Sequence, residues 1–121
     1  MRFTGTDRCI YFDCDDTLVL TNMPNSPLAI PIEYQGHTYR YVPHEQHIEE
    51  IHRYEADGAT IVVWSAQGSS WAETVVRALG LQSVVDVCLS KPEKYFDDLN
   101  VTQFMPNTTR EYVRPILRIK S

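Results

Sequence analysis

The stretch IYFDCDDTLV, residues 10–19, decides how the rest of the chain is interpreted. Its Ile-Tyr-Phe run suits a buried strand, so we expect a strand at about Cys9–Asp13. Asp13, Asp15 and Asp16 then crowd at the end of that strand. Carboxylates held so close repel one another, and they lose hydration if the site is enclosed. The stretch therefore predicts a positively charged partner beside these aspartates.

Length and composition indicate one globular domain, residues 1–121, with 43% hydrophobic and 22% charged residues. No apolar run is long enough to span a membrane, and the N-terminus lacks the apolar core of a signal peptide. The net charge of −5 weighs against nucleic acid as the main ligand without excluding it. Three cysteines without a CxxC pair fit reduced thiols, so we expect a cytoplasmic protein.

The hydrophobic pattern predicts the order strand, hairpin, helix, strand, helix, strand. These elements lie at about residues 9–13, 30–42, 44–57, 60–64, 70–79 and 84–89, with a further β-like segment at 94–96. Gly58 and Gly80 end the two helices, and Ser70 to Glu73 has the capping-box pattern at the start of the second. The order predicts an α/β fold, a small three-layer sandwich around a mainly parallel sheet.

Polar side chains follow three of the predicted strands. Asp13 and Asp15 follow the first, Ser65 follows the strand TIVVW, and Asp97-Asp98 follows the segment KYF. Ligands of open parallel sheets bind beyond the carboxyl ends of the strands, so these groups should converge there. A hard divalent cation is the simplest partner for the two acidic pairs, and Mg²⁺ fits best because it takes one or two carboxylates, waters and a substrate phosphate.

These residues resemble the motifs of the haloacid dehalogenase superfamily. IYFDCDDTLV is similar to its first motif, apolar residues followed by DxDxT, and WSAQG is similar to its second, a strand that ends in Ser or Thr. Lys91 or Lys94 resembles the third motif, and Asp97-Asp98 resembles the fourth. Four motifs in the right order, each at a predicted strand end, make the resemblance specific over about residues 9–98.

The resemblance implies a Rossmann-like core with a β-hairpin flap at about residues 30–42. It also implies a member without a cap domain, because residues 14–64 hold only a loop, the hairpin and one helix. Relatives without a cap tend to act on large substrates or to close their site with a neighbouring subunit. A homo-oligomer that closes the active site is therefore left open, and the tail at about residues 99–121 has no assigned role.

The activity that the resemblance implies is Mg²⁺-dependent hydrolysis of a phosphomonoester through an aspartyl-phosphate. Asp13 would be the nucleophile, Asp15 the general acid and base, and Thr17 would steady their loop. Ser65 would donate a hydrogen bond to the phosphoryl oxygens, and Lys91 would neutralise their charge.

The resemblance also implies a ligand set for the metal and further contacts for the substrate. The implied metal ligands are Asp13, Asp15 through its backbone carbonyl, and Asp97, with Asp98 either a further ligand or a residue beside the ligands. The implied substrate contacts are Ala66, Gln67 and Lys94. Lys91 is favoured over Lys94 as the phosphate-binding lysine because Lys91-Pro92 lies in a loop. The few residues between segments 84–89 and 94–96 are too short for a parallel crossover, so one of the two must be short, irregular or antiparallel.

Two other classes of function stay open at this point. A receiver-like phospho-acceptor domain also has an acidic pair, a hydroxyl and a lysine, but its acceptor Asp would end the middle strand, where this chain has Ser65. A non-catalytic protein of the same fold that binds a metal or a partner is the other alternative, and Asp15 argues against it. Nucleotides, sugar phosphates and nucleic-acid ends all remain candidate substrates.

The histidines, one cysteine and the arginines of the tail are predicted to lie outside the chemistry. The four histidines have no spacing typical of a zinc site and are expected at the surface; they are His37, His44, His47 and His52. Cys14 lies between two acids that raise its pKa, which disfavours a reactive thiolate. The arginines that recur every fourth residue from Arg110 are expected in a solvated tail, since Pro115 interrupts a helix there.

Overall fold

The structure is a computed structural model, and it describes residues 8–115. The described part of the chain contains six strands, two α-helices and one short 3₁₀ helix (Val101–Gln103). The strands and α-helices are β1 (Cys9–Asp13), β2 (Val19–Leu20), β3 (Ile30–Tyr34), β4 (His37–Pro43), α1 (Glu45–Ala56), β5 (Thr60–Ser65), α2 (Ser69–Ala78) and β6 (Val87–Ser90). No helix among these residues has the length and apolar character needed to cross a membrane.

The centre of the fold is a parallel sheet of three strands in the order β1-β5-β6. Asp13 at the end of β1 lies opposite Trp64 of β5, and Ser65 at the end of β5 lies opposite Ser90 of β6. The carboxyl ends of all three strands therefore meet at one edge of the sheet. This arrangement confirms the prediction of an α/β fold with a parallel sheet.

Both helices cover the same face of this sheet. Phe12, Ile61 and Val63 point into one core cluster that also contains Ile51 of α1 and Val75 of α2. The two crossovers step in the same direction across the sheet, and right-handed connections of that kind place both helices on one side.

The opposite face of the sheet carries no helix among residues 8–115. Tyr11, Val87 and Leu89 on that face are 37%, 41% and 39% exposed. The described residues thus form two layers, and the three-layer sandwich that the sequence pattern predicts is not what this part of the chain adopts. The prediction failed because a third layer needs a long helix on the other face, and the described chain after β6 forms only one turn of 3₁₀ helix, Val101–Gln103.

The predicted hairpin is present as β3 and β4, which pair in antiparallel register and bind β2 through β4. Gln35 and Gly36 form its turn, with φ angles of 52° and 79°. Two consecutive positive φ angles are typical of the type I′ turn, whose twist matches that of the flanking strands. Its β3 strand packs against α2, which places the hairpin close to the start of that helix.

Helix α1 agrees with the sequence, and helix α2 begins differently. His44 is the N-cap of α1, and Gly58 follows its end with a left-handed φ of 86°. The predicted capping box of α2 is wrong: the N-cap is Gly68, and no side chain of the helix caps it. The hydroxyl of Ser90 on β6 accepts a hydrogen bond from the N–H of Ser69 at 3.0 Å instead, so a tertiary contact replaces the local one.

The chain after α2 departs from the prediction in two places. Strand β6 starts at Val87, three residues later than expected, because the preceding residues form a turn. The predicted β-like segment at 94–96 is not a strand; it lies in solvent without regular structure, with Phe96 98% exposed. The spacing argument for one irregular segment is confirmed, because too few residues separate it from β6 for a parallel crossover.

Candidate active site

The loop after β1 folds tightly around one carbonyl group. The backbone N–H groups of Thr17, Leu18 and Val19 all donate to the carbonyl oxygen of Cys14, at 3.1, 2.8 and 3.2 Å. Asp16 adopts a left-handed φ of 62°, a region where aspartate is more common than most residues. This turn reverses the chain so that the residues that follow β1 stay at its carboxyl end.

Three aspartates of this loop have different surroundings. The hydroxyl of Thr17 donates to Oδ2 of Asp13 at the long distance of 3.4 Å. Oδ1 of Asp16 accepts hydrogen bonds from the N–H and the hydroxyl of Thr21, at 3.1 and 2.9 Å. The carboxylate of Asp16 therefore stabilises the loop through Thr21. Asp13 and Asp15 remain as the candidate reactive carboxylates.

Asp15 is held by a residue distant in sequence. The indole N–H of Trp71, at the start of α2, donates to Oδ1 of Asp15 at 2.8 Å. Burial raises the pKa of Asp15 most, and the charges of Asp13 and Asp16 raise it further, while the Trp71 bond acts in the opposite direction. A carboxyl group whose pKa is raised keeps a proton more readily, which suits a general acid.

The hydroxyl of Ser65 is the polar group at the end of the central strand. Ser65 is buried, its Oγ accepts a hydrogen bond from the N–H of Gln67 at 2.9 Å, and its carbonyl accepts one from the N–H of Lys91 at 2.8 Å. A hydroxyl that accepts one bond can still donate its own hydrogen. Ser65 is thus placed to donate towards a group bound at the edge of the sheet.

Of the two candidate lysines, Lys91 is the one tied to the strand ends. It follows β6 directly, its N–H binds Ser65, and its Nζ lies 5.9 Å from the ring centroid of Trp64. Trp64 in turn pairs in register with Asp13. Lys94 lies further along, in an exposed segment without regular structure.

The remaining predicted contacts lie at the rim of the site. Ala66 and Gln67 are exposed residues of the short loop between β5 and α2, directly beside Ser65. The first turn of α2 follows them, with Gly68 at a φ of 107°, a conformation that favours glycine.

The acidic pair Asp97-Asp98 is not assembled with the first pair. Asp97 is fully exposed; its Oδ1 accepts a hydrogen bond from the N–H of Leu99 at 3.0 Å, and that bond and Asp98 lower its pKa. Within residues 8–115, no group of three or more His, Cys, Asp or Glu side chains is arranged to hold a metal ion. The expected four-carboxylate cluster is absent there, because the segment that carries Asp97 has no strand partner.

The structure corrects the prediction that all the histidines lie at the surface. His44 and His47 are buried at the start of α1. Nδ1–H of His47 donates to the carbonyl of Thr17 at 2.7 Å, and its Nε2 accepts from the N–H of Arg110 at 2.8 Å. The spacing of four residues between His47 and the buried Ile51 is the signal in the sequence that identifies this inward face.

Part of the tail, residues 110–113, makes hydrogen bonds and an ion pair with helix α1. Arg110 donates its backbone N–H to His47, and its guanidinium lies 3.0 Å from Oε1 of Glu50 on α1. Further on, the carbonyl of Val113 accepts a hydrogen bond from the side chain of Gln46 at 2.9 Å. These contacts fix the backbone of residues 110–113 against α1, while the side chains of Arg110 and Arg114 stay exposed, as expected for a solvated tail. Arg118 lies outside the described residues.

Comparison with known protein families gives one match over nearly the whole chain. The family described as NLI interacting factor-like phosphatase matches residues 8–117. It is a family of phosphatases within the haloacid dehalogenase superfamily, so the match confirms the resemblance that the four motifs indicate. No curated protein matches the chain.

Proposed function

The chain belongs to the NLI interacting factor-like phosphatase family, and from that premise we propose that it is a Mg²⁺-dependent phosphomonoester hydrolase that works through an aspartyl-phosphate. The family makes it a phosphatase; the metal, the intermediate and the role of each residue are the proposal. One observation carries it. Asp13 ends β1 and Asp15 follows it, while Ser65 ends β5 and Lys91 follows β6 in the same sheet.

In the first step, a carboxylate oxygen of Asp13 attacks the phosphorus atom of the substrate. A bond forms between that oxygen and phosphorus, the bond from phosphorus to the leaving oxygen breaks, and Asp15 gives its proton to the leaving oxygen. The raised pKa of Asp15 supports this role, because the residue must hold a proton before it can transfer it.

In the second step, water attacks the phosphorus atom of the aspartyl-phosphate. Asp15 now takes a proton from the water, the bond between phosphorus and Asp13 breaks, and inorganic phosphate leaves. Throughout both steps the hydroxyl of Ser65 and the ammonium of Lys91 stabilise charge on the phosphoryl oxygens. Thr17 steadies the loop, and Ala66, Gln67 and Lys94 contact the rest of the substrate.

The residues at the end of β1 fit a magnesium ion. Three carboxylates lie within four residues of the chain. Burial raises the pKa of Asp15 most, and the charges of Asp13 and Asp16 raise it further. The carboxylate of Asp13 and the backbone carbonyl of Asp15 would hold the ion, since Mg²⁺ needs only one or two protein carboxylates besides waters and phosphate. The carboxyl group of Asp15 then stays free for proton transfer. When bound, the ion would neutralise charge on the nucleophile and on the phosphoryl oxygens.

Asp97 and Asp98 stay predicted ligands of the same ion. Their segment lies exposed after Lys91, so they reach the ion only if this segment folds over the strand ends. Measuring the Mg²⁺ dependence of turnover in Asp97→Asn and Asp98→Asn tests this role. An unchanged requirement for Mg²⁺ in both variants would remove the two residues from the proposed ligand set.

The hairpin formed by β3 and β4 is the proposed flap over this site. Three tyrosines of the hairpin pack around Trp71, which in turn binds Asp15; they are Tyr34, Tyr39 and Tyr41. The substrate is a phosphomonoester, with nucleotides, sugar phosphates and nucleic-acid ends as the classes to screen. A second copy of the chain that closes the site is part of the proposal, and the dependence of activity on protein concentration tests it.

We also place the protein in the cytoplasm. Cys9, Cys14 and Cys88 are free thiols in the structure, as expected for a reducing compartment. Fractionation of the cells that produce the protein tests this location directly.

The experiment that tests the proposed activity uses purified protein and a generic aryl phosphate. We expect release of phosphate that requires Mg²⁺ and is abolished by Asp13→Asn. The variant must keep the wild-type circular dichroism and melting temperature, so that the loss is assigned to chemistry. Turnover that is unchanged in a folded Asp13→Asn variant would contradict the mechanism.

A further inference from the structure

We propose that Trp71 is a positioning residue for Asp15: its indole N–H fixes the carboxyl group of Asp15 in the orientation required for proton transfer. The proposal rests on the proposed role of Asp15 as general acid and base. It adds a residue that does not touch the reacting atoms and that lies 56 positions away in the sequence. It also connects the hairpin to the acid through the indole ring.

The hydrogen bond determines which oxygen of Asp15 carries the proton. The indole N–H of Trp71 only donates, so the oxygen that receives it, Oδ1 of Asp15, must act as an acceptor. In the protonated carboxyl group the carbonyl oxygen is the stronger acceptor, so the bond to Oδ1 favours the form with the hydrogen on Oδ2. A single oxygen is thus reserved for giving a proton to the leaving group and for taking one from water. Without the indole N–H, either oxygen can carry the proton, and both orientations are populated.

The indole ring is itself fixed from two sides. Trp71 is only 4% exposed, and it packs among the buried residues of α2 that include Ala72 and Val75. On its other side, three tyrosine rings of the hairpin meet it edge-on. Their ring centroids lie 5.1 Å (Tyr34), 5.5 Å (Tyr39) and 6.2 Å (Tyr41) from that of Trp71. A donor held this firmly is pre-organised, as positioning of a proton-transfer group requires.

A purely structural role for Trp71 predicts a different response to substitution. In that view the ring fills the core and its N–H merely finds a partner, as buried indoles usually do. Losing the N–H would then lower the stability of the protein, or lower its activity by the same factor on every substrate. Our proposal predicts instead that the loss depends on how much the leaving group needs a proton.

Trp71→Phe is the decisive variant, assayed with phenyl phosphate and 2,4-dinitrophenyl phosphate. Phenolate is a poor leaving group that needs a proton from Asp15, whereas dinitrophenolate departs without one. We expect kcat/KM to fall at least about tenfold for phenyl phosphate and less than about threefold for the dinitro substrate, within the usual worth of proton transfer. Equal losses for both substrates, or no loss for either, would overturn the proposal.

Two further variants make the result specific. Val75→Ala removes a buried side chain of the same helix without touching Asp15, so we expect lower stability and an unchanged ratio of the two substrates. Asp15→Asn removes the acid itself. Combining it with Trp71→Phe should add no further loss for phenyl phosphate, since coupled residues are not additive. A full additional loss in the double variant would contradict action of Trp71 through Asp15.

A measurement without turnover covers the case in which Trp71→Phe does not fold. The indole N–H of Trp71 gives an NMR resonance that Asp15→Asn should shift, while the resonance of Trp64 stays in place. If the chemical shift of the Trp71 indole N–H is the same in Asp15→Asn as in the wild-type protein, the proposal is overturned. Failure of the proposed function looks different: the wild-type protein would release no phosphate, or Asp13→Asn would not affect release, while the indole signal still responds.

Discussion

The rings of His44 and His47 lie stacked at the start of α1, with centroids 3.8 Å apart and planes 8° from parallel. Each ring binds the same residue of the tail. Nε2–H of His44 donates to the carbonyl of Arg110 at 3.2 Å, and Nε2 of His47 accepts from its N–H at 2.8 Å. Because His47 also donates to the carbonyl of Thr17, the pair joins the tail to the loop that carries the candidate nucleophile.

Replacing His47 by Ala should destabilise the fold. The substitution removes a buried ring and two hydrogen bonds, so we expect the free energy of unfolding to fall by about 2–4 kcal/mol. Urea unfolding followed by circular dichroism measures this. His52→Ala is the matched control, because His52 lies exposed on the same helix, and it should cost less than about 0.5 kcal/mol. Equal costs for the two variants would contradict the account of the pair.

The stability of the protein should decrease in mild acid because of His44. Burial lowers the pKa of His44 most, and the neighbouring His47 lowers it further, so its folded pKa lies below the ordinary 6.5. The groups that face its ring are His47, the backbone of Arg110 and the ring of Tyr112. The unfolded chain then binds a proton that the folded chain does not, so stability is full above 6.5 and is lost as the pH falls below it.

Unfolding free energies measured across this pH range test the sign of the effect. His44→Asn is the informative variant, since asparagine can still cap α1 through its side chain but does not titrate. We expect a flatter pH dependence for this variant than for the wild-type protein. A slope that is the same in both would assign the acid sensitivity to other groups.

The three cysteines should differ in reactivity towards a thiol reagent. Burial, together with the charges of Asp13 and Asp15, raises the pKa of Cys14 to about 12, while Cys9 is exposed. The thiolate is the reactive form, so at about pH 8 we expect iodoacetamide to label Cys9 and to spare Cys14 until the protein is unfolded. Peptide mass spectrometry measures both sites, and fast labelling of Cys14 in the folded protein would be incompatible with its burial.

Substitution of the two candidate lysines should separate their roles. Lys91 binds the end of β5 and lies near Trp64, so Lys91→Gln should lower kcat by about 10²–10³, as loss of a charge-stabilising group does. Lys94→Gln is the matched comparison, and its loss should stay below about tenfold. Steady-state kinetics on the aryl phosphate measure both variants. A larger loss for Lys94→Gln would move the phosphate-binding role to that residue.

The sequence was most informative where local pattern and tertiary structure agree. The strand Cys9–Asp13, the turn at Gln35-Gly36 and the helix that ends before Gly58 were all predictable, because each depends on neighbouring residues. The position of Asp13 and Ser65 at one edge of the sheet was also predictable, since the carboxyl ends of parallel strands meet there.

Three features that the sequence did not predict depend on hydrogen bonds between residues distant in sequence. The start of α2 is capped by Ser90, the indole of Trp71 binds Asp15, and His47 binds Arg110. No local spacing encodes such a bond. The strand predicted at 94–96 failed for a different reason. Its apolar residues suit a strand, but this segment pairs with no other strand.

The most direct test of the central claim is the identity of the residue that becomes phosphorylated. During turnover of an aryl phosphate, the protein is quenched in acid and treated with borohydride, which reduces an aspartyl-phosphate to homoserine. We predict homoserine at position 13, found by peptide mass spectrometry, and no such product in Asp13→Asn. Turnover that proceeds with aspartate at position 13 unmodified, and equally in the folded Asp13→Asn variant, would contradict the account.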